Sequence, residues 1–357
     1  MDYFIAVSLS FFFTFITIPI VINVFNSIDL LDIPNRRKVH KVGTPSMGGI
    51  AFIGSLLITL IFVFPISDLA DLKFLIAGLT IIFVLGIRDD ISSLDAKQKV
   101  VVQLLASIIV VEYSGIYLQD IQGFMGIYEL SPIIGKGLTV FIIIALTNSF
   151  NLIDGIDGLA GGISLVALLF LGINFFHSGN YTLSLIAITL ASGIIAFLYF
   201  NWYPSKIFMG DTGSMSLGFV LSIFLVSFIN ISNPILAEDI SAPIAIAISM
   251  LIVPVYDTLR VMIKRLLGRK SPFKPDKNHI HHILLKVGFS HGQAAMLLIG
   301  FTFTMICFSM IFQSLGNNWL VIIQLITISS LGWLVDATLS RKIKSFQQNK
   351  RIKSSVA

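Results

Sequence analysis

Residues 181–200 read YTLSLIAITLASGIIAFLYF, twenty consecutive positions without a charged side chain. A helix needs about 20 predominantly apolar residues to cross the hydrocarbon core of a bilayer. The run is continuously apolar rather than alternating, so it reads as a helix and not as a strand of a membrane barrel. Similar runs lie on both sides of it. Together they give about eleven candidate spans, at 3–25, 47–65, 73–87, 99–117, 136–150, 159–177, 181–200, 214–231, 242–260, 293–313 and 318–337. The composition agrees, with 55% hydrophobic residues, 12% charged residues and a mean hydropathy of +0.91. A soluble domain of this length has no interior able to hide so much apolar sequence. The expected fold is an all-α polytopic membrane protein.

Charge sets the expected orientation, because Lys and Arg collect in loops that stay in the cytoplasm. Eleven spans divide the loops into two sets. One set, with residues 36–41, 88–99, 206, 260–286 and the tail from Arg341, holds 22 of the 24 basic residues, leaving only Lys73 and Lys136 on the other side. The N-terminus is therefore expected outside and the C-terminus in the cytoplasm. The first run follows Met1-Asp2-Tyr3, with neither a positive flank nor a small-residue cleavage site before Pro19. It is expected to be a retained anchor rather than a signal peptide. Topology explains most of the basic surface, and no nucleic-acid partner is expected. The single cysteine, Cys307, excludes a disulfide framework and a Cys-based metal site.

In so apolar a chain, acidic and histidine residues at the membrane edge are costly and point to function. They form clusters, all in the same loop set. Arg88-Asp89-Asp90, with Asp95, ends the third run; adjacent carboxylates beside a cation suit Mg²⁺, although a solvated acidic loop tip is equally consistent with the local sequence. Asn148-Ser149-Phe150-Asn151-Leu152-Ile153-Asp154-Gly155-Ile156-Asp157-Gly158 places two carboxylates three residues apart among glycines that allow close backbone approach. Phe208-Met209-Gly210-Asp211-Thr212-Gly213 sets one carboxylate between glycines, either as a metal ligand or as a helix cap. Asn278-His279-Ile280-His281-His282 sits in a basic loop and suits a pyrophosphate better than zinc, since no cysteine accompanies it. Residues 41–49, KVGTPSMGG, read locally as a turn and cap entering the second run.

Taken together, and in this order, these motifs resemble the polyprenyl-phosphate N-acetylhexosamine-1-phosphate transferase family (glycosyltransferase 4), over nearly the whole chain. The SPFKPD stretch at 271–276 leading into HIHH, followed by Gly288-Phe289-Ser290, is similar to the WecA-like branch, which makes undecaprenyl-pyrophosphoryl-GlcNAc and starts O-antigen or related cell-surface polysaccharides. The muramyl-pentapeptide branch typically carries an HHH run, where this chain has Ile280. The resemblance implies one transferase domain over 1–340, with its active site on cytoplasmic loops, and a basic tail over 341–357.

It implies Asp211 and Asn151 as metal ligands for Mg²⁺, with Mn²⁺ as the alternative, and Asp89, Asp90, Asp154 and Asp157 as catalytic residues. Lys41, Leu152 and Phe208 would line the uridine pocket, Asn151 would also bind substrate near the nucleotide, and His279, His281 and His282 would face the pyrophosphate. Asp95 receives no role. The implied partners are a UDP-N-acetylhexosamine, undecaprenyl phosphate and membrane lipid in the bacterial inner (plasma) membrane, with a homodimer among the compatible assemblies. The expected reaction is attack of the lipid phosphate oxygen on the β-phosphorus with release of UMP. Single displacement is the simpler path, a covalent aspartyl intermediate the other. Another UDP-HexNAc donor or phospho-MurNAc-pentapeptide are the alternatives within the family. A transporter or flippase is the competing class, which would place charges near the midplane of repeated halves.

Overall fold

The computed structural model describes residues 2–27, 31–32, 44–231, 240–269 and 279–356. Lys41, residues 271–276 and Asn278 lie outside them. The described chain is almost entirely helical: α1 (Asp2–Ser27), α2 (Gly49–Val63), α3 (Ile66–Ile91), α4 (Ala96–Tyr113), α5 (Pro132–Ile153), α6 (Leu159–His177), α7 (Tyr181–Asn201), α8 (Gly210–Ile231), α9 (Pro243–Met250), α10 (Ile252–Leu267), α11 (Ile280–Val287), α12 (His291–Ile311) and α13 (Gly316–Val356). Two small antiparallel pairs complete it, β1 (Leu31–Asp32) with β2 (Thr44–Pro45) and β3 (Asp120–Phe124) with β4 (Ile127–Glu129).

Among the described residues, seven helices are long and apolar enough to cross a membrane: α1, α5, α6, α7, α8, α12 and the first part of α13. The chain is a multi-pass membrane protein. The run expected as one span at 242–260 is broken instead. Helices α9 and α10 meet at Leu251 with a bend of 74°, and counting the pair as one crossing raises the number to eight. Pro254 explains the break, because it has no N–H to offer Met250 and its ring crowds that carbonyl. Of the other expected spans, α2 has only 15 residues, and α4 carries Lys97, Lys99 and Glu112 within its 18 residues.

Helix α8 is the centre of the bundle. Every side chain from Thr212 to Ile229 is buried, and α3, α5, α2 and α6 pack around it. In lipid there is little hydrophobic gain from bringing helices together, so close packing and internal hydrogen bonds do that work. At its N-terminal end α8 is gripped by glycines. A Cβ on Gly86 would lie 2.3 Å from Thr212 Cα, and one on Gly49 would lie 2.2 Å from the Gly213 nitrogen. Only hydrogen atoms fit there, so α2 and α3 touch the α8 backbone directly. Buried hydroxyls on the helices, such as Ser164, Ser216 and Thr139, donate to carbonyls four residues back, which satisfies them without a partner helix. The C-terminal ends of α3, α5 and α7 and the N-terminal ends of α4, α6, α8 and α12 meet at one end of the bundle, where all the acidic and histidine motifs converge.

Candidate active site

The close approach of α3 to α8 places Asp90 over the first turn of α8. Its Oδ1 accepts the Asp211 N–H at 2.8 Å, and its Oδ2 accepts the Thr212 N–H at 2.9 Å and the Thr212 hydroxyl at 2.6 Å. A helix leaves its first N–H groups without internal partners, and here a carboxylate from a neighbouring helix meets two of them. Gly210, with φ of +75°, makes the turn into α8, and a Cβ there would strike the Asp90 carboxylate. Both oxygens of Asp90 are thus engaged in building the site.

Asp89 is 5% exposed and points the other way. One of its oxygens accepts the Leu94 N–H at 2.6 Å and the other pairs with the Lys99 ammonium. Lys99, from the first turn of α4, also reaches Asp211 Oδ2 at 2.9 Å, so one cation bridges two carboxylates from different helices. The second oxygen of Asp211 accepts from Asn151 Nδ2 at 2.7 Å, and the same amide group reaches the Ser214 hydroxyl at 3.1 Å. Asn148, one turn earlier on α5, is tied instead to Gln103.

Asp154 follows the last residue of α5 and makes no hydrogen bond among the described residues. Burial, together with the negative charges of Asp211, Asp90 and Asp157, pushes its carboxyl up to about 8. The chain then turns through Gly155 into α6. Gly158, the residue before α6, donates its N–H to Asn201 Oδ1 at 2.9 Å. Asp157 is buried; its Oδ2 accepts the Ser205 N–H at 3.3 Å and its Oδ1 lies 3.6 Å from His291 Nδ1. Leu152 is exposed beside this turn. Phe208 is joined through its backbone to residues 45 and 48: its N–H donates to the Pro45 carbonyl and its carbonyl accepts the Gly48 N–H.

The histidines close the site from the other side. His281 turns the Nε2 tip of its ring toward Gly155, so close that a Cβ on Gly155 would be 2.2 Å from that nitrogen. Its ring stacks on His279, with centroids 5.6 Å apart and planes 11° from parallel, and its centroid is 4.3 Å from that of His282. Burial, aided by His282, His279 and His291, holds His281 well below the usual histidine range and hence neutral. Ile280, which distinguishes HIHH from an all-histidine run, is buried in the core at 1% exposure.

Comparison with known proteins matches this arrangement to a family. The model described as "Glycosyl transferase family 4" covers residues 72–229, which include the carboxylate motifs, and a "Phospho-N-acetylmuramoyl-pentapeptide-transferase signature 1" covers 41–53. A Bacillus subtilis (strain 168) protein described as a probable undecaprenyl-phosphate N-acetylglucosaminyl 1-phosphate transferase is 33% identical over 350 residues, 96% of this chain and 94% of the relative. The chain belongs to glycosyl transferase family 4. Two further relatives of this family 4 transferase are similar over most of their length. The undecaprenyl-phosphate alpha-N-acetylglucosaminyl 1-phosphate transferase of Escherichia coli (strain K12) is 31% identical over 81% of this chain and 78% of its own. The decaprenyl-phosphate N-acetylglucosaminephosphotransferase of Mycolicibacterium smegmatis is 33% identical over 74% and 71%.

Of the residues singled out in the transferase sequence, Asp89, Asp90, Asn151, Asp154, Asp157, Asp211, His279, His281 and His282 come together at one end of the bundle. Asp95 opens α4, with its N–H met by Gln98 Oε1 at 3.1 Å. Four residues that take part were not singled out: Lys99, Thr212, Asp257 and His291. Lys99 was legible only as a topology charge, whereas Asp257, an acid inside an expected span, carried the same signal of cost that marked the others.

A divalent cation fits the donor set. Asp154 is a half-buried carboxylate with no hydrogen-bond partner among the described residues, close enough to Asp211 and Asp90 to feel their charge, while Asp211 and Asp89 share the Lys99 ammonium; hard oxygens of this kind suit Mg²⁺. Among the described residues no three His, Cys, Asp or Glu side chains form a ready-made cage.

Proposed function

We propose that this transferase moves GlcNAc-1-phosphate from UDP-GlcNAc to undecaprenyl phosphate and releases UMP, in the plasma membrane of a bacterium, as the first step of a lipid-linked cell-surface glycan. The observation that carries this reading is the row of carboxylates, Asp89, Asp211 and Asp154, bridged in part by Lys99 and faced by histidines, at one end of an apolar bundle. A diphosphate donor and a phosphate acceptor are both anionic, so the chemistry is chiefly charge neutralisation and alignment. The names of the three relatives support the acceptor class and the sugar. The positive charge on the loops at this end supports a cytoplasmic site, eleven crossings and an outside N-terminus.

In this mechanism the lipid lies along the apolar flank and its phosphate enters beside Asp89 and Lys99. Asp211, with the Asn151 carboxamide, would hold Mg²⁺ (or Mn²⁺), which when bound neutralises the pyrophosphate as a Lewis acid. Asp90 holds the backbone of Asp211 in place, so it acts as a positioning residue. Asp89 is the carboxylate left to accept the lipid phosphate's last proton, a small task because that group has a second pKa of about 6. Leu152 and Phe208, with Lys41, contact the uridine. His279, His281 and His282 face the diphosphate, His281 as a neutral group. Asp157 orients His291 and the 202–205 loop. A single displacement at the β-phosphorus needs no further group.

The test is a donor screen with purified protein, Mg²⁺, undecaprenyl phosphate and a panel of UDP-sugars, scored by the mass of the lipid product. A GlcNAc-phospholipid, lost in Asp211→Asn although that variant is folded and inserted, is the expected result. Preferred product from another sugar would replace the donor, and wild-type turnover in Asp211→Asn would remove Asp211 from the mechanism.

A further inference from the structure

Asp257 lies in α10, outside every motif considered so far, and is buried at 1% exposure. Its two oxygens divide between histidine rings and a backbone. Oδ2 is within hydrogen-bond distance of His279 Nδ1, at 2.9 Å, and beyond it from His281 Nδ1, at 4.0 Å, while Oδ1 accepts the Ile280 N–H at 2.8 Å. One carboxylate thus fixes the start of α11 and the ring of the residue just before it. Behind it stands a chain of charges. Arg260 Nη1 is 3.7 Å from Asp257 Oδ1, while Arg260 Nη2 and Lys264 Nζ each lie 2.6 Å from Asp336 on α13. Desolvating such groups costs more than an apolar packing of similar volume, so a buried ionic chain is weak evidence for stability. What this one achieves is a defined ring. A carboxylate on Nδ1 assigns the proton to that nitrogen and aims Nε2 away from α10. The His279 ring lies parallel to His281, whose Nε2 tip faces Gly155.

We propose that Asp257 is a positioning residue of the active site, acting through His279 by setting its tautomer and ring orientation. The inference rests on the reading of His279 as a group facing the diphosphate. No bond to substrate is made or broken by Asp257.

The test uses the full-length protein in detergent. In Asp257→Asn the oxygen facing Ile280 is preserved, but an NH₂ now faces His279 Nδ1. That nitrogen becomes an acceptor and the proton moves to Nε2. Nitrogen-15 NMR of labelled histidine, assigned with His279→Ala, should report that switch. Turnover of UDP-GlcNAc should fall by about 10–100-fold, as is usual when the partner that orients a functional histidine is lost. In a His279→Ala background the same substitution should cost nothing more. Asp336→Asn releases Arg260 from the half-exposed end of the chain; it provides a milder variant should Asp257→Asn melt, with a several-fold fall that also vanishes on His279→Ala. An unchanged tautomer, or a loss that adds fully to that of His279→Ala, overturns the proposal. A switched tautomer with undiminished turnover in both His279→Ala and Asp257→Asn overturns it by a different route, since it is then the diphosphate-facing role of His279 that fails.

Discussion

Gly155→Ala is the most incisive single change, because it adds one carbon in the centre of the site. The new Cβ would stand 2.2 Å from His281 Nε2, whereas ordinary contact begins near 3.4 Å, so the ring has to retreat by about 1.2 Å. Gly155 does not use the left-handed region, so the alanine backbone is unstrained and the side-chain collision is the whole effect. Among the described residues His281 Nδ1 has no hydrogen-bond partner, the nearest carboxylate being Asp257 at 4.0 Å, so packing does most to hold the ring where it is. Misplacing a catalytic-site group by about 1 Å costs on the order of 100-fold in rate, or about 2.7 kcal/mol in transition-state stabilisation. The assay is initial-rate formation of labelled lipid product at varied UDP-GlcNAc, with thermal unfolding of the same preparation as the control. The expected result is a fall of about 100-fold in kcat/KM with the melting transition retained, and no additional fall when Gly155→Ala is placed on His281→Ala. Near-wild-type kcat/KM in a folded Gly155→Ala protein would refute both the packing argument and the placement of His281 in the site.

Other consequences follow from the same geometry. Asp90→Ala strands the Asp211 and Thr212 amides and the Thr212 hydroxyl; a loss of about 1–3 kcal/mol per buried unsatisfied group should lower the melting temperature as well as activity, unlike Asp211→Asn. Asp154 has an ordinary value of 3.8 that rises to about 8 in the fold, so its contribution to stability is fully present below pH 4 and is lost as pH rises toward 8. At the limit this is worth about 1.4 kcal/mol per pH unit. In chelator, Asp154→Asn should therefore be more stable than the parent at pH 8, and the advantage should shrink at pH 4 or with Mg²⁺; equal pH profiles of unfolding would contradict this. Far from the site, Asn317 Oδ1 accepts the Ile244 and Ala245 N–H groups at the start of α9. Asn317→Ala should cost about 0.5–2 kcal/mol of stability in detergent unfolding, with unchanged KM for the donor.

Much of this fold is legible because a membrane leaves a chain few choices. The run at 181–200 and its neighbours could only be helices, and α6, α7 and α8 lie within a few residues of their expected limits. What escaped reading depends on non-local geometry. Pro254 is visible in the sequence, but whether a proline kinks a span or splits it depends on what packs against the freed carbonyl. The β3–β4 hairpin and α11 are short elements inside stretches that read as loop. In the site, residue types carried the signal and roles did not. Asp89 and Asp90 are neighbours in sequence and read as equivalents, yet one takes a lysine and the other caps α8. Thr212 and Lys99 are ordinary residues made important only by the meeting of α3, α4 and α8.

The carboxylate that Asp90 lends to α8 has one more consequence. Anion-binding proteins commonly receive phosphate on the free amides at the start of a helix. Here the first two amides after Gly210 are already taken by Asp90, and the Gly158 amide entering α6 is taken by Asn201. These fixed dipoles of the scaffold are spoken for before any substrate arrives. Those amides cannot serve a diphosphate, so part of the compensating charge falls to carriers that can shift or leave, such as the Lys99 ammonium or an ion that enters with the donor.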